Sequence, residues 1–304
     1  MTRDARPVKT VLAATDFSEC AGNALAWARQ LASLHGATLV VHHSLAPPQG
    51  APAFPEFVPF PPELHEQYRH AAQSRLDEAA AEAQKSGLEA KVDLQVGPAV
   101  ATILMAAEKH EADVIVTGTR GLSGLRHTLL GSTAERLVQH SPIPVLSVHP
   151  DRKPRERVAR ILVPTDFSDD GALALGEAVR FMAGAGEQAE IVLFHAFHVP
   201  VEYTHLAGGF VMPDLARNAL REAREALERI AAPLRDDRTE ITVACREGYA
   251  AQAIELEARE REVDLIAMGT HGRGFLPHVV LGSTAERVVQ NSPCPVLTVR
   301  RADD

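Results

Sequence analysis

Residues 118–148 read GTRGLSGLRHTLLGSTAERLVQHSPIPVLSV, and residues 269–299 read GTHGRGFLPHVVLGSTAERVVQNSPCPVLTV. The two stretches are identical at 20 of 31 positions. A second pair, VLAATDFS at 11–18 and ILVPTDFS at 161–168, repeats at almost the same offset. A unit of about 150 residues has therefore been duplicated with almost no change of length, which suits two whole domains better than short solenoid repeats.

The duplication predicts a first domain over residues 1–150 and a second over residues 158–304. The seam between the copies, DRKPRERVAR at 151–160, is charged and short. Because such a linker has little reach, we expect the two domains to pack against each other.

Each copy alternates short apolar runs with amphipathic segments. In the first copy the apolar runs predict strands, which lie at 8–14, 37–43, 90–96, 113–118 and 144–148. Helical spacing predicts helices, which lie at 19–34, 63–85, 98–110 and from Ser132 onward. The Pro-rich stretch 47–62 predicts an exposed loop. This order predicts an α/β fold of two tandem, doubly wound, five-stranded parallel-sheet (Rossmann-like) domains.

Composition excludes several classes of protein. The formal net charge is −9, and both halves are mildly acidic, whereas a broad nucleic-acid-binding face is usually basic. No apolar run is long enough for a membrane helix, and the first residues lack the apolar stretch of a signal peptide. Three scattered cysteines do not make a disulfide framework. We therefore expect a cytoplasmic protein with no nucleic-acid or membrane partner.

Two motifs fall at the carboxyl ends of predicted strands, where open parallel sheets bind ligands. One is the aspartate after the first strand of each copy, Asp16 and Asp166. The other is a loop of Gly, two residues, Gly, nine residues, Gly-Ser-Thr, which begins at Gly118 and again at Gly269. Backbone N–H groups at a helix N-terminus hold phosphate well, and glycine lets the backbone approach it closely.

Structural readings of the same motifs remain open. The glycines are also compatible with simple turns, Gly-Ser-Thr with a helix cap, and the aspartates with caps of the first helix. The loop is not a Walker A motif, because no Gly-Lys-Ser/Thr occurs in the chain, and neither copy has G-x-G-x-x-G after its first strand. Without a lysine clamp we expect binding with slow or no hydrolysis, and we assign no catalytic residue.

With these motifs in both copies, the chain resembles a tandem universal stress protein of the ATP-binding branch. That branch carries the same glycine spacing, and the TDFS turns, a His after strand 2 (His42 and His195) and the terminal SPxPVL also fit. The resemblance covers residues 8–148 and 158–300.

The resemblance implies a site for ATP with Mg²⁺ in each copy. The carboxylates of Asp16 and Asp166 would reach adenine, ribose or a metal. The backbone positions that would frame adenine are Thr15 and His43 in the first copy, and Thr165 and Ala196 in the second. The positions that would contact ribose and phosphates are Gly118, Arg120, Gly121, Gly131, Ser132 and Thr133, and then Gly269, His271, Gly272, Gly282, Ser283 and Thr284.

The two copies differ at two of these places. Ala14 stands where the second copy has Pro164, which the family often has, so the first site is the weaker match. Arg120 stands opposite His271. Since Arg is always charged and His is mostly neutral at pH 7, we expect the first site to favour a triphosphate more than the second.

Fourteen histidines raise the alternative of a metal site. His42 and His43 are neighbours on a strand and point to opposite faces, so they do not readily share an ion. A zinc site from His195, His198 and His205 is the alternative that remains, but we assign no metal ligand. His127 and His278 repeat within the glycine loops without a clear role, and Cys294 replaces Ile143, which indicates a core position.

The sequence thus favours an ATP-binding regulatory protein of the stress response. The alternatives are a nucleotide-free interaction scaffold, a zinc-binding member of the same fold and, least favoured, an adenylyl-transferring enzyme. The resemblance also implies that the last strand of each domain, PVLSV and PVLTV, pairs the two domains as an internal dimer, with a homodimer of whole chains as a further possibility. The loops at 47–62 and 200–213 are candidates for lids or partner surfaces.

Overall fold

The computed structural model describes residues 7–45, 62–121, 130–152, 154, 157–183, 189–198, 212–235, 239–272 and 281–301. The predictions for the Pro-rich stretch up to residue 61, for His127, His205 and His278, and for the segment 200–211 lie outside these residues.

The N-terminal repeat has the predicted alternation of strands and helices. Its strands are β1 Thr10–Ala14, β2 Thr38–Leu45, β3 Ala90–Val96, β4 Val114–Gly118 and β5 Val145–Val148. Its helices are α1 Glu19–His35, α2 Pro62–Lys85, α3 Ala99–Lys109 and α4 Ser132–His140.

The C-terminal repeat follows the same order. Its strands are β6 Arg160–Pro164, β7 Ala189–Phe197, β8 Thr239–Glu247, β9 Leu265–Gly269 and β10 Val296–Val299. Its helices are α5 Asp169–Met182, α6 Met212–Ala231, α7 Ala250–Glu260 and α8 Ser283–Asn291, with a 3₁₀ turn at Ala232–Leu234.

The ten strands form one continuous sheet in the order β3-β2-β1-β4-β5-β10-β9-β6-β7-β8. Every neighbouring pair is parallel except β5 and β10, which pair antiparallel with Leu146 opposite Leu297. The α/β fold of two doubly wound, five-stranded repeats is therefore confirmed. The two repeats join through their last strands within one chain, as the internal-dimer hypothesis requires.

The core lies on both faces of this sheet. Along β1, Val11 packs with Trp27 of α1, whereas Leu12 packs with Ile103 of α3 and Leu137 of α4. This alternation follows from the two-residue period of a strand, and it explains why parallel strands buried on both faces are apolar throughout. Helices α1 and α2 thus cover one face, and α3 and α4 cover the other.

The strand ends differ slightly from the sequence prediction. The first strand begins at Thr10 rather than at residue 8, and just at its start the backbone N–H groups of Lys9 and Thr10 donate to the Asp113 carboxylate at 2.6 and 3.0 Å. The second strand extends to Leu45, which lies opposite Val96 of β3. Across the part of the chain that the structure describes, no helix has the length and apolarity to span a membrane.

Candidate functional site

Two cavities open at equivalent places, beyond the carboxyl ends of the central strands of each repeat. The N-terminal cavity has a volume of about 360 Å³ and lies where the chain leaves β1 and β4. The C-terminal cavity has a volume of about 490 Å³ and lies beyond β6 and β9. Both sizes fall in the range of small-molecule sites, and the strand order reverses at these points, which is where open α/β sheets bind ligands.

The TDFS motif forms a tight turn at the floor of the N-terminal cavity. Thr15 Oγ1 accepts a hydrogen bond from the Phe17 N–H at 3.0 Å, and Asp16 Oδ1 accepts one from the Ser18 N–H at 3.0 Å. The hydroxyl of Ser18 caps α1 by accepting from the Ala21 N–H at 3.2 Å. The second copy repeats all three bonds at 3.0, 3.1 and 3.3 Å. The helix cap is therefore the serine, and the aspartate holds the turn.

The turn places its phenylalanine in a rare backbone conformation. Phe17 has φ of 62° and Phe167 has φ of 66°, in the left-handed region that non-glycine residues seldom occupy. Each ring packs against a histidine, His43 at 4.5 Å between ring centroids and His195 at 4.6 Å. This strain fixes the direction in which the turn leaves the sheet.

These histidines correct the sequence alignment of the two copies. His43 Nδ1 donates to the Thr15 carbonyl at 2.7 Å, and His195 Nδ1 donates to the Thr165 carbonyl at 2.7 Å. His43, not His42, is therefore the partner of His195. His42 lies opposite Ala14 in the sheet, and the equivalent place in the second copy holds Phe194.

The shift by one residue changes the equivalence of two predicted site residues. Ala196 corresponds to Ser44 rather than to His43. Both Ser44 and His43 line the N-terminal cavity, and Ala196 lines the C-terminal one.

The glycine loop packs directly on the aspartate turn. A Cβ atom at Gly121 would lie 2.7 Å from Asp16 Oδ2, and one at Gly272 would lie 2.5 Å from Asp166 Oδ2. A side chain at either glycine would therefore force the aspartate carboxylate to move, so glycine lets the loop pack on the carboxylate in its present position.

Helices α4 and α8 point their N-termini into the two cavities. Gly131 is the N-cap of α4, with extended φ and ψ of −65° and 142° and no side-chain capping bond. Gly282 takes the same role in α8. Ser132 and Thr133 are thus the first helical residues and do not act as the cap. The first N–H groups of an α-helix have no intrahelical partner, and the helix dipole makes this end attractive to anions.

All the predicted site residues line one cavity or the other. In the N-terminal cavity these are Thr15, Asp16, His43, Gly118, Arg120, Gly121, Gly131, Ser132 and Thr133. In the C-terminal cavity they are Thr165, Asp166, Ala196, Gly269, His271, Gly272, Gly282, Ser283 and Thr284. Their contact with a ligand stays a prediction.

The two cavities carry different charges at the ends where the glycine loops begin. In the C-terminal cavity His271 lies beside Asp170, which accepts from its backbone N–H at 3.2 Å, and the ring Nδ1 is 3.5 Å from the carboxylate. The N-terminal cavity has Arg120 in place of His271 and Cys20 in place of Asp170. Burial raises the pKa of the Cys20 thiol, so this residue stays neutral. The N-terminal cavity is therefore the more positive of the two at this end.

A buried polar network lies behind the N-terminal cavity and was not predicted from the sequence. His42 Nδ1 lies 2.9 Å from Asp93 Oδ2, and His42 Nε2 lies 3.0 Å from Ser44 Oγ. Lys109 also donates to Asp93, at 2.5 Å. Strand β3 reads AKVDLQV, in which polar and apolar residues alternate, so Asp93 did not stand out in the sequence although its side chain is buried.

Electrostatics fix the charges in this network. Burial acts to raise the pKa of Asp93, but hydrogen bonds from Lys109, His42 and His110 outweigh it and hold that pKa well below its usual range. Burial lowers the pKa of His42, and the opposing attraction of Asp93 does not compensate. At pH 7 the network therefore consists of a carboxylate and a neutral imidazole.

The zinc alternative has no ligand set in the described part of the chain, where no group of three or more His, Cys, Asp or Glu side chains is placed to hold a metal. His195 is engaged by the Thr165 carbonyl, and His198 stacks on Tyr249 at 4.7 Å.

Comparison with known proteins gives consistent matches over nearly the whole chain. The model of the Universal stress protein family matches twice, over residues 7–149 and 158–300. A universal stress protein of Mycolicibacterium smegmatis is 27% identical over 293 residues, which are 95% of this chain and 96% of that protein.

A solved structure shares the fold. A universal stress protein of Archaeoglobus fulgidus superimposes with a TM-score of 0.70 at 24% identity, covering 96% of this chain and 98% of that chain. A universal stress protein described as being in complex with cAMP covers 48% of this chain and 100% of its own, with 25% identity and a TM-score of 0.37.

Proposed function

The chain belongs to the universal stress protein family, and we propose that it is a regulatory protein that binds one adenine nucleotide, preferably ATP with Mg²⁺, in each repeat. One observation carries the proposal. In both repeats an uncapped helix N-terminus and an aspartate turn line one cavity of nucleotide size.

The helix end supplies the phosphate-binding chemistry. The backbone N–H groups at the start of α4 are donors in a fixed array, and the hydroxyls of Ser132 and Thr133 stand beside them. Arg120 adds a permanent positive charge at the same end of the cavity. Ser283 and Thr284 occupy the same places at the start of α8.

The aspartates supply the second contact. Asp16 is held by its bond to the Ser18 N–H, and Gly121 packs against its carboxylate. A carboxylate beside the phosphate loop suits a ribose hydroxyl, or a Mg²⁺ ion that it would hold together with phosphate oxygens. The metal would neutralise phosphate charge, and the protein groups would orient the nucleotide.

The same sites lack the groups for fast hydrolysis. No lysine lines either cavity as far as the structure describes them. A site that holds phosphates without a lysine clamp binds a nucleotide better than it turns one over. We therefore propose that the presence or absence of bound nucleotide switches the protein between two states. We place this protein in the cytoplasm. A homodimer of whole chains is a further hypothesis.

The nucleotide content of freshly purified protein tests the proposal. We expect denaturation to release close to two molecules of ATP per chain, and re-added ATP to bind with micromolar affinity, roughly 7–9 kcal/mol. Gly131→Val and Gly282→Val should each remove one of the two. A protein that purifies empty and shows no thermal shift with millimolar ATP and Mg²⁺ is instead an interaction scaffold.

A further inference from the structure

The two cavities differ at the wall formed by the second strand, the fourth strand and the helix that follows the third strand of each repeat, both in lining residues and in residues directly behind them. The polar residues of the N-terminal repeat are replaced, position by position, by apolar ones. The equivalent pairs are His42 and Phe194, Ser44 and Ala196, Thr102 and Ala253, and Thr117 and Met268. The duplication that preserved the glycine loops has therefore not preserved this wall.

In the N-terminal repeat the hydrogen-bond directions along the wall are determined. Asp93 is ionised, so His42 Nδ1 must donate to it at 2.9 Å. A neutral imidazole then has a lone pair at Nε2, which accepts the only proton of the Ser44 hydroxyl at 3.0 Å.

Ser44 Oγ is therefore an acceptor with no proton left to give. The Ala99 carbonyl, at 3.5 Å from Ser44 Oγ, is a weaker acceptor for that proton than His42 Nε2 at 3.0 Å. Ser44 Oγ lies 2.6 Å from Thr102 Oγ1, and Thr102 also has the carbonyls of Ala99 and Pro98 as acceptors, at 3.1 and 3.3 Å. A hydroxyl oxygen accepts two hydrogen bonds, so Ser44 retains an acceptor position for a ligand. Because Ser44 is half-buried and lines the cavity, that position is reachable from inside it.

The wall lies opposite the phosphate-binding end. Helix α4 begins next to the end of β4, where Gly131 N–H donates to the Thr119 carbonyl at 2.8 Å. Strand β1 lies between β4 and β2 in the sheet, so Ser44 on β2 is two strand spacings, about 10 Å, from that end. A nucleotide with its phosphates at α4 then directs its base toward Ser44.

From this arrangement we propose that the N-terminal cavity selects a purine nucleotide with an amino group at position 6, whereas the C-terminal cavity accepts 6-amino and 6-oxo purines with less discrimination. The inference rests on the proposed nucleotide sites. An amino group donates to Ser44 Oγ, but a 6-oxo group would set two acceptors against each other. On the equivalent wall of the C-terminal cavity the side chains of Ala196 and Met268 offer no polar atom apart from a thioether sulfur, so these side chains do not distinguish an amino from an oxo group.

Comparing ATP with ITP, its 6-oxo analogue, tests the proposal by titration calorimetry with Mg²⁺. In the full chain, Gly282→Val blocks the C-terminal cavity, so that only the N-terminal cavity binds nucleotide. Gly131→Val does the reverse. We expect the ratio of ATP to ITP affinity to be at least roughly tenfold higher in the first variant than in the second. Adding Ser44→Ala to Gly282→Val should lower that ratio to the value of the C-terminal cavity.

A matched control uses the equivalent position. Ala196→Ser in the Gly131→Val chain should leave its ratio unchanged, because a hydroxyl without a histidine at residue 194 can both donate and accept. If either glycine variant does not fold, Ser44→Ala can be made in the otherwise unchanged chain. There it should lower the ratio of ATP to ITP affinity at one of the two sites and leave the other site unchanged. Equal ratios in the two cavities, or no effect of Ser44→Ala, overturn this inference alone. Failure of ATP to bind either cavity overturns the proposed function as well.

Discussion

The carboxylate of Asp16 occupies the space that a side chain at Gly121 would need, with Oδ2 only 2.7 Å from the position of a Cβ atom. The aspartate turn and the glycine loop come from opposite ends of the repeat and meet at this contact. Because the contact recurs between Asp166 and Gly272, the spacing between the two motifs is a built feature of both cavities.

Gly121→Ala is therefore expected to push the Asp16 carboxylate out of place and to weaken nucleotide binding in the N-terminal cavity by about tenfold, or 1.4 kcal/mol. The C-terminal cavity should be unaffected, which calorimetry on the two-site protein resolves. Gly22→Ala is the control, since nothing lies within 4 Å of its added Cβ and Ala favours the helix. Unchanged binding in Gly121→Ala would show that the carboxylate position does not matter.

Ser18→Ala and Ser168→Ala remove the side-chain caps of α1 and α5. Each should lower the free energy of unfolding by about 1 kcal/mol, because a helix N–H loses its acceptor. Urea denaturation measures this. Ser86→Ala, which removes a long and exposed bond to the Glu82 carbonyl, should stay within about 0.5 kcal/mol of the parent. Equal effects at all three serines would contradict the capping assignment.

The buried histidines predict a fall in stability with acid. Burial lowers the pKa of His42 below 6.5, so the unfolded chain binds more protons than the folded one as pH falls through that value. The free energy of unfolding should therefore decrease from pH 7 toward pH 5. Asp93, His43 and His110 act electrostatically on His42. His35 and His149 add the same sign, because burial lowers their pKa values too.

His42→Phe, which copies the residue at position 194, should make this pH dependence shallower, whatever its effect on stability at pH 7. Asp93 acts in a separate pH range. Its pKa lies below its ordinary value, so its contribution to the free energy of unfolding is lost only as pH falls below about 4. Denaturation curves at several pH values provide the slopes. If His42→Phe leaves the slope of the free energy of unfolding against pH unchanged between pH 7 and pH 5, His42 is not a buried neutral imidazole.

Leu146 and Leu297 lie opposite each other where the two repeats join, and both are almost fully buried. Truncation of either to Ala should cost about 2–5 kcal/mol through the cavity it leaves. The double variant should cost less than the sum of the two by roughly 0.5–3 kcal/mol, because the residues share one site. Strict additivity in chemical denaturation would mean that the two strands do not pair as described.

Arg120 and His271 predict unequal preference for phosphate number. In the chain with only the N-terminal cavity intact, Arg120→His should reduce ATP affinity more than AMP affinity. AMP carries fewer negative charges than ATP and therefore loses less attraction when the cation is removed. The reciprocal change, His271→Arg, should raise the preference of the C-terminal cavity for ATP over AMP. This increase should be smaller than the decrease caused by Arg120→His, since Asp170 partly neutralises the new charge. Competition between ATP and AMP measures both ratios.

The amino-acid sequence by itself determined the duplication, the alternation of strands and helices, and the two motifs that line each cavity. These follow from local patterns: buried parallel strands are apolar throughout, helices repeat every 3.6 residues, and glycine and aspartate mark turns. Every site residue that these patterns selected lies on one of the cavities.

The tertiary structure alone decided the register between the copies and the polar wall. His42 and His43 are identical in type, and the strand register together with the hydrogen bond from His43 to Thr15 shows that His43 matches His195. Likewise Asp93 and His42 lie 51 residues apart in the chain and meet only because β2 and β3 are neighbours. Local patterns carry no information about such pairings, which depend on which strands lie side by side and in what register.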